Sequence, residues 1–83
     1  MIAKLVDPQM DKNFSIQFFK VTDDDRKNIY KNFHQSCKIF GHQFMQGDYD
    51  DWMMIEFWTD NVDLIIQICI FYQNALEIEI EGF

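Results

Sequence analysis

Hydrophobic and polar positions change period several times along this chain, and each change marks an element. Ile2-Ala3-Lys4-Leu5-Val6 is a short apolar run stopped by Asp7-Pro8. After a polar connection, Phe14 to Val21 alternates, with Phe14, Ile16 and Phe18 on one side and Ser15, Gln17, Phe19 and Val21 on the other. A period of two is the mark of a half-buried strand, so both runs are expected as strands that pair in a hairpin. Thr22-Asp23-Asp24-Asp25 opens a helix: Thr is a good N-cap, and carboxylates in the first turn meet the positive end of the helix dipole. Ile29, Phe33, Cys37 with Ser36, Phe40 and Phe44 then recur at steps of three and four, an amphipathic stripe in which Gly41 is a possible end.

Trp52-Met53-Met54-Ile55-Glu56-Phe57-Trp58-Thr59 is bulky and aromatic and predicts a strand. Met53, Ile55 and Phe57 share its core side, while Trp52, Met54, Glu56 and Trp58 share the other. Asp60 or Asn61 is placed to cap a second helix that begins at Val62 and is too short to span a bilayer. Ile65, Ile68, Cys69, Tyr72 and Leu76 fill one face of that helix, and Leu64, Ile70 and Phe71 spill around it. Leu76-Glu77-Ile78-Glu79-Ile80-Glu81 alternates without a fault and is expected as a closing strand, with three carboxylates about 6.8 Å apart along one side.

The resulting order, β-β-α-β-α-β over residues 1–83, predicts one compact acidic α+β domain. A mostly open sheet of about four strands carries both helices on one face, a variant of a ferredoxin-like arrangement. Gln46-Gly47-Asp48 falls between elements as a loop. Trp52, Trp58 and the glutamate row are expected on the uncovered face.

Charge sharpens this picture. The chain holds 7 basic against 14 acidic residues, a net charge of −7. All seven, Lys4, Lys12, Lys20, Arg26, Lys27, Lys31 and Lys38, precede residue 39. From Ile39 onward Asp48, Asp50, Asp51, Glu56, Asp60, Asp63, Glu77, Glu79 and Glu81 face no Lys or Arg of their own segment. Such a field repels nucleic acid and anionic membranes and attracts basic protein surfaces. Direct nucleic-acid or membrane binding is therefore not expected. Composition adds a coding hint: Ile supplies 11 residues and Phe 9, while Ala, Gly, Arg and Pro together supply 7, as in genes rich in A and T.

Candidate chemistry changes little. Two cysteines do not make a disulfide framework, and Cys37 and Cys69 read as buried thiols of a reducing compartment. The opening Met-Ile-Ala-Lys has no apolar run of signal-peptide length, so a cytoplasmic location is expected. His34, Cys37 and His42 lack a fourth ligand at matching spacing, and Asp48-Tyr49-Asp50-Asp51 lacks the Gly and distal Glu of a calcium loop. No nucleophile, base and orienter occur together. No catalytic residue, metal or cofactor is expected.

The expectation is thus a binding protein whose acidic, aromatic surface occludes the basic site of a larger protein, one belonging to a nucleic-acid-handling complex. Asp48, Asp50, Asp51, Trp52, Glu56, Trp58, Glu77, Glu79 and Glu81 are its candidate contacts, with carboxylates standing in for phosphates. In length and charge the chain resembles the small acidic inhibitors of phages and mobile elements, such as anti-CRISPR proteins and uracil-DNA glycosylase inhibitor. That resemblance is one of profile, not of motif, and it implies a DNA-mimic role. A homodimer formed through the apolar second helix is the alternative.

Overall fold

The computed structural model describes residues 1–7, 13–41 and 44–83. It contains strands β1 (Ile2–Val6) and β2 (Asn13–Phe19), helix α1 (Asp23–Phe40), strands β3 (Phe44–Asp48) and β4 (Trp52–Trp58), helix α2 (Val62–Leu76) and strand β5 (Ile80–Glu81). The fold is α+β, with a five-stranded mixed sheet in the order β3-β4-β2-β1-β5. Neighbours are antiparallel except β1 and β5, which run parallel. The polar connection between β1 and β2 lies largely outside the described residues.

Both helices begin as local chemistry dictates. Thr22 caps α1 through a reciprocal capping box with Asp25, the amide of Asp25 donating to Thr22 Oγ1 at 3.1 Å and the amide of Thr22 to Asp25 Oδ2 at 3.0 Å. Asn61 caps α2, its Oδ1 accepting from Asp63 and Leu64. Each bond satisfies an amide that the first helical turn leaves without a partner.

The core lies between the helices and one sheet face. Ile16, Phe18, Met53, Ile55 and Phe57 from the strands meet Ile29 of α1 and Ile65, Ile68, Cys69 and Tyr72 of α2. Ser36 and Tyr72 join the helices through a buried bond of 2.6 Å, and the Ser36 hydroxyl also lies 2.8 Å from the Phe33 carbonyl. Among the described residues no helix lies on the opposite sheet face.

Two expectations are corrected. The sheet has five strands, because Phe44–Asp48, read as helix end and loop, is edge strand β3 paired with β4. Helix α1 stops at Gly41, the end its glycine offered in the sequence, whose φ of +56° is the left-handed geometry that ends helices. Phe44 still reaches the core, edge-on to Phe33, Phe40 and Phe57. Lastly, the alternating tail is not one strand. Leu76 ends α2, Glu77 turns at φ +54°, and the amides of Ile78 and Ile80 both bond back to Gln73. Only Ile80–Glu81 joins the sheet. Compared with a four-stranded ferredoxin-like sheet, β1 is interposed between β2 and β5.

Candidate functional site

Strand register specifies what the uncovered face presents. Across the sheet, one row runs Ile2, Phe19, Trp52; the next Glu81, Lys4, Gln17, Met54, Gly47; the next Val6, Ser15, Glu56, Met45; and the last pairs Asn13 with Trp58. Aromatic and sulfur-bearing side chains dominate the β4 side. Met45 is 57% and Trp58 43% exposed, so both leave apolar surface in water on this face.

The end of this face at the Ile2–Phe19–Trp52 row carries a stack. Tyr49 and Trp52 lie with ring centroids 4.2 Å apart and planes at 11°, and Phe19 stacks on Trp52 at 5.8 Å and 16°. Lys4 Nζ stands 5.9 Å from the Phe19 centroid, close enough for a cation–π contact worth about 0.5–1 kcal/mol at an exposed site. Gly47 makes room for the outermost ring. A Cβ built there would sit 2.9 Å from Tyr49 Cε2 and 3.2 Å from Met54 Cγ. The absent side chain is the slot into which Tyr49 folds.

On the helix side, Arg26 clasps the turn that positions Tyr49. Its guanidinium pairs with the Asp48 carboxylate, and it donates to the carbonyls of Tyr49 at 3.1 Å and Asp50 at 3.0 Å. Tyr30 donates its hydroxyl to Asp48 as well. Backbone bonds from Tyr49 to the Trp52 carbonyl and from Val21 to the Asp51 carbonyl, 3.0 and 3.1 Å, close the turn. A planar fork suits this task, since it can hold a carboxylate and two carbonyls at once.

The nine residues singled out from the sequence fall in different places. Trp52, Glu56 and Trp58 lie on the uncovered face, with Glu56 Oε2 accepting from Asn13 Nδ2 at 3.1 Å. Asp50 and Asp51 are exposed in the β3–β4 turn. Asp48 faces α1 and is matched by Arg26, so its charge is answered within the chain. Glu77, Glu79 and Glu81 are all exposed, but the kink at Glu77 removes the even spacing of a strand. Glu77 and Glu79 line two shallow clefts of about 590 and 390 Å³ beside β5, the first with Gln73 and Phe83, the second with Glu81, Met1 and Ile2. Glu81 has Lys4 as its cross-strand neighbour. The last turn of α2 holds no basic residue, so the negative end of its dipole adds to the field of Glu77 and Glu79.

Residues not singled out complete the site: Tyr49, Phe19, Lys4, Met45 and Met54. Phe19 was detectable, because it shares the outward parity of Ser15 and Gln17. Tyr49 was not, because its place depends on β3.

Among the described residues no three His, Cys, Asp or Glu side chains gather as a metal site; His42 lies outside them. No described helix is long and apolar enough to cross a membrane. Both cysteines are free thiols. Burial pushes the Cys69 thiol up to about 11 and raises Tyr72 well above its ordinary value. Both sit in the core, away from the uncovered face. No protein-family model matches the chain, and no curated protein or solved structure does either.

Proposed function

We propose that this is a protein-binding domain, not an enzyme, whose uncovered sheet face docks on a larger protein with a basic surface. The observation that carries this reading is the Tyr49–Trp52–Phe19 stack, an apolar platform at one end of a sheet face that no described element of the chain covers. Aromatic anchors of this kind supply most of the energy of protein contacts when desolvated at the centre of an interface. Carboxylates lie at its margins, Asp50 and Asp51 at one end and Glu79 and Glu81 along the β5 side. They steer a cationic partner toward the platform and add little affinity of their own at the rim.

The partner class follows from charge. A chain of net charge −7 meets a surface built to hold phosphates more readily than it meets an acidic one. A nucleic-acid-handling protein is therefore the favoured partner, with occlusion of its basic site as the consequence. Such an inhibitor fits a phage or mobile-element origin and a cytoplasmic setting. Relative to the sequence-based expectation, the weight of the contact moves from the glutamate row to the aromatic platform.

The test is capture of interacting proteins from a bacterial lysate on the immobilised chain, identified by mass spectrometry, at low and high salt. Nucleic-acid-binding proteins retained at low salt, released by salt or by heparin, and lost with Trp52→Ala support the reading. Retention that survives both Trp52→Ala and the triple change of Glu77, Glu79 and Glu81 to Lys would sink it.

A further inference from the structure

Helix α2 presents a second apolar surface, unrelated to the sheet face. Val62, Ile66 and Ile70 recur at intervals of four, lie on one line along the helix, and are 65%, 39% and 43% exposed. The outward face of α1 is built the other way, with Asp24, Lys27, Lys31, Gln35 and Lys38 all exposed. Branching at Cβ makes Val and Ile mediocre helix formers, and at these exposures they recover only part of the burial energy that would offset it.

We infer that this stripe pairs with the same stripe of a second copy of the chain. The occupant is decided by charge. Among the fifteen residues of α2 only Asp63 is charged, although the chain as a whole carries −7. A basic partner finds almost nothing to bind there, and the same poverty of charge lets two like-charged molecules approach through this face. Geometry permits self-pairing. A two-fold axis through Ile66 sets two α2 helices antiparallel, with Ile66 on its counterpart and Val62 against Ile70, a self-complementary contact of the kind closed dimers use. The two Asp63 then stand about 9 Å apart along the axis at 1.5 Å per residue, beyond the Debye length of about 8 Å at physiological salt. Antiparallel packing also brings the N-terminal end of each helix toward the C-terminal end of the other, a favourable dipole arrangement.

This inference does not rest on the proposed partner, and salt separates the two. Screening relieves repulsion between two acidic copies, so self-association strengthens as salt rises; capture by a basic protein weakens. Sedimentation velocity of the full chain over a range of concentrations, at low and high salt, provides the test. The expected result is a reversible dimer, tighter at high salt, with dissociation raised at least about tenfold by Ile66→Glu and unchanged by Trp52→Ala. Val62→Lys, at a position in the first turn with little to lose, serves if Ile66→Glu disturbs the helix signal in circular dichroism. A monomer at millimolar concentration in high salt overturns the inference. So does a dimer indifferent to both α2 variants, or one lost with Trp52→Ala alone. Flotation of the monomer with neutral lipid vesicles would reassign the stripe to a membrane surface and overturn it too.

Discussion

The Tyr49 ring lies flat against Trp52, with centroids 4.2 Å apart, in space that exists because residue 47 has no side chain. The platform therefore depends on a residue that contributes no atom to it. Gly47→Ala displaces the far end of the Tyr49 side chain, a movement the ring makes at small cost. The expected outcome is a loss of stability below about 1 kcal/mol by urea denaturation, since an aromatic pair is worth about 0.5–1.5 kcal/mol, together with a change in Trp fluorescence. Capture of the partner should fall far more than stability does. Equal losses would mean that the glycine serves folding only.

Arg26 holds the turn that delivers Tyr49. Truncation by Arg26→Ala leaves the exposed Asp48 carboxylate without its cation and two carbonyls without their donors from the chain. A loss of about 1 kcal/mol is expected, in line with an exposed ion pair of good geometry. Arg26→Lys should recover only part of it, because an ammonium lacks the planar fork. A double-mutant cycle with Asp48→Asn, read by chemical denaturation, isolates the pair.

The Ser36–Tyr72 bond predicts a second, non-additive cycle. Ser36→Ala strands the buried Tyr72 hydroxyl and should cost about 1–3 kcal/mol. Tyr72→Phe costs less, since Ser36 keeps the Phe33 carbonyl as acceptor. The double variant should be no worse than Ser36→Ala alone. Additive losses would show that the two hydroxyls do not depend on one another.

Stability should decline on the alkaline side. The folded Cys69 thiol titrates at about 11 against 9.0 for its ordinary value, because burial disfavours the thiolate. A pKa raised in the folded state contributes stability that is complete below the unfolded value and lost as pH climbs through the folded one. The expected profile is therefore flat up to pH 9 and falls between 9 and 11, by on the order of 2–3 kcal/mol from this group. Tyr72, raised for the same reason, extends the fall beyond pH 10. Thermal denaturation against pH checks it, and Cys69→Ala should flatten the first part of the slope. The same burial makes Cys69 the slower of the two thiols toward alkylation, with half-buried Cys37 ahead of it.

Glu77 occupies a left-handed backbone position that favours glycine. An L side chain there costs about 1–2 kcal/mol, partly offset in the unfolded chain, so Glu77→Gly should raise stability by about 0.5–1 kcal/mol. If the carboxylate is kept for binding, the same variant should slow association with a basic partner at low salt. Stopped-flow or surface-based association rates measure this directly. A faster or unchanged rate would leave the glutamate without a role in contact.

Much of the fold was legible because its signals are local. The capping of α1 by Thr22, the start of α2 after Asn61, and the core parity of Met53, Ile55 and Phe57 each need only a few neighbouring residues. The outward setting of Trp52, Glu56 and Trp58 follows from the same parity. Strand β3 was hidden because Phe44-Met45-Gln46-Gly47-Asp48 neither alternates nor favours a strand. Its identity comes from pairing with β4. The alternating tail misled for the converse reason: Leu76-Glu77-Ile78-Glu79-Ile80-Glu81 has the period of a strand, yet Gln73 captures the amides of Ile78 and Ile80 before a sheet can.

By itself the sequence determined the helix starts, the faces of its periodic strands and the unequal distribution of charge, since each is a property of neighbours in the chain. The tertiary structure alone decided that Arg26 answers Asp48, that Tyr49 lies on Trp52 over Gly47, and that Val62, Ile66 and Ile70 remain in water. Those outcomes depend on which distant surfaces meet, and hydrophobic periodicity specifies that a face is buried without naming the surface that buries it.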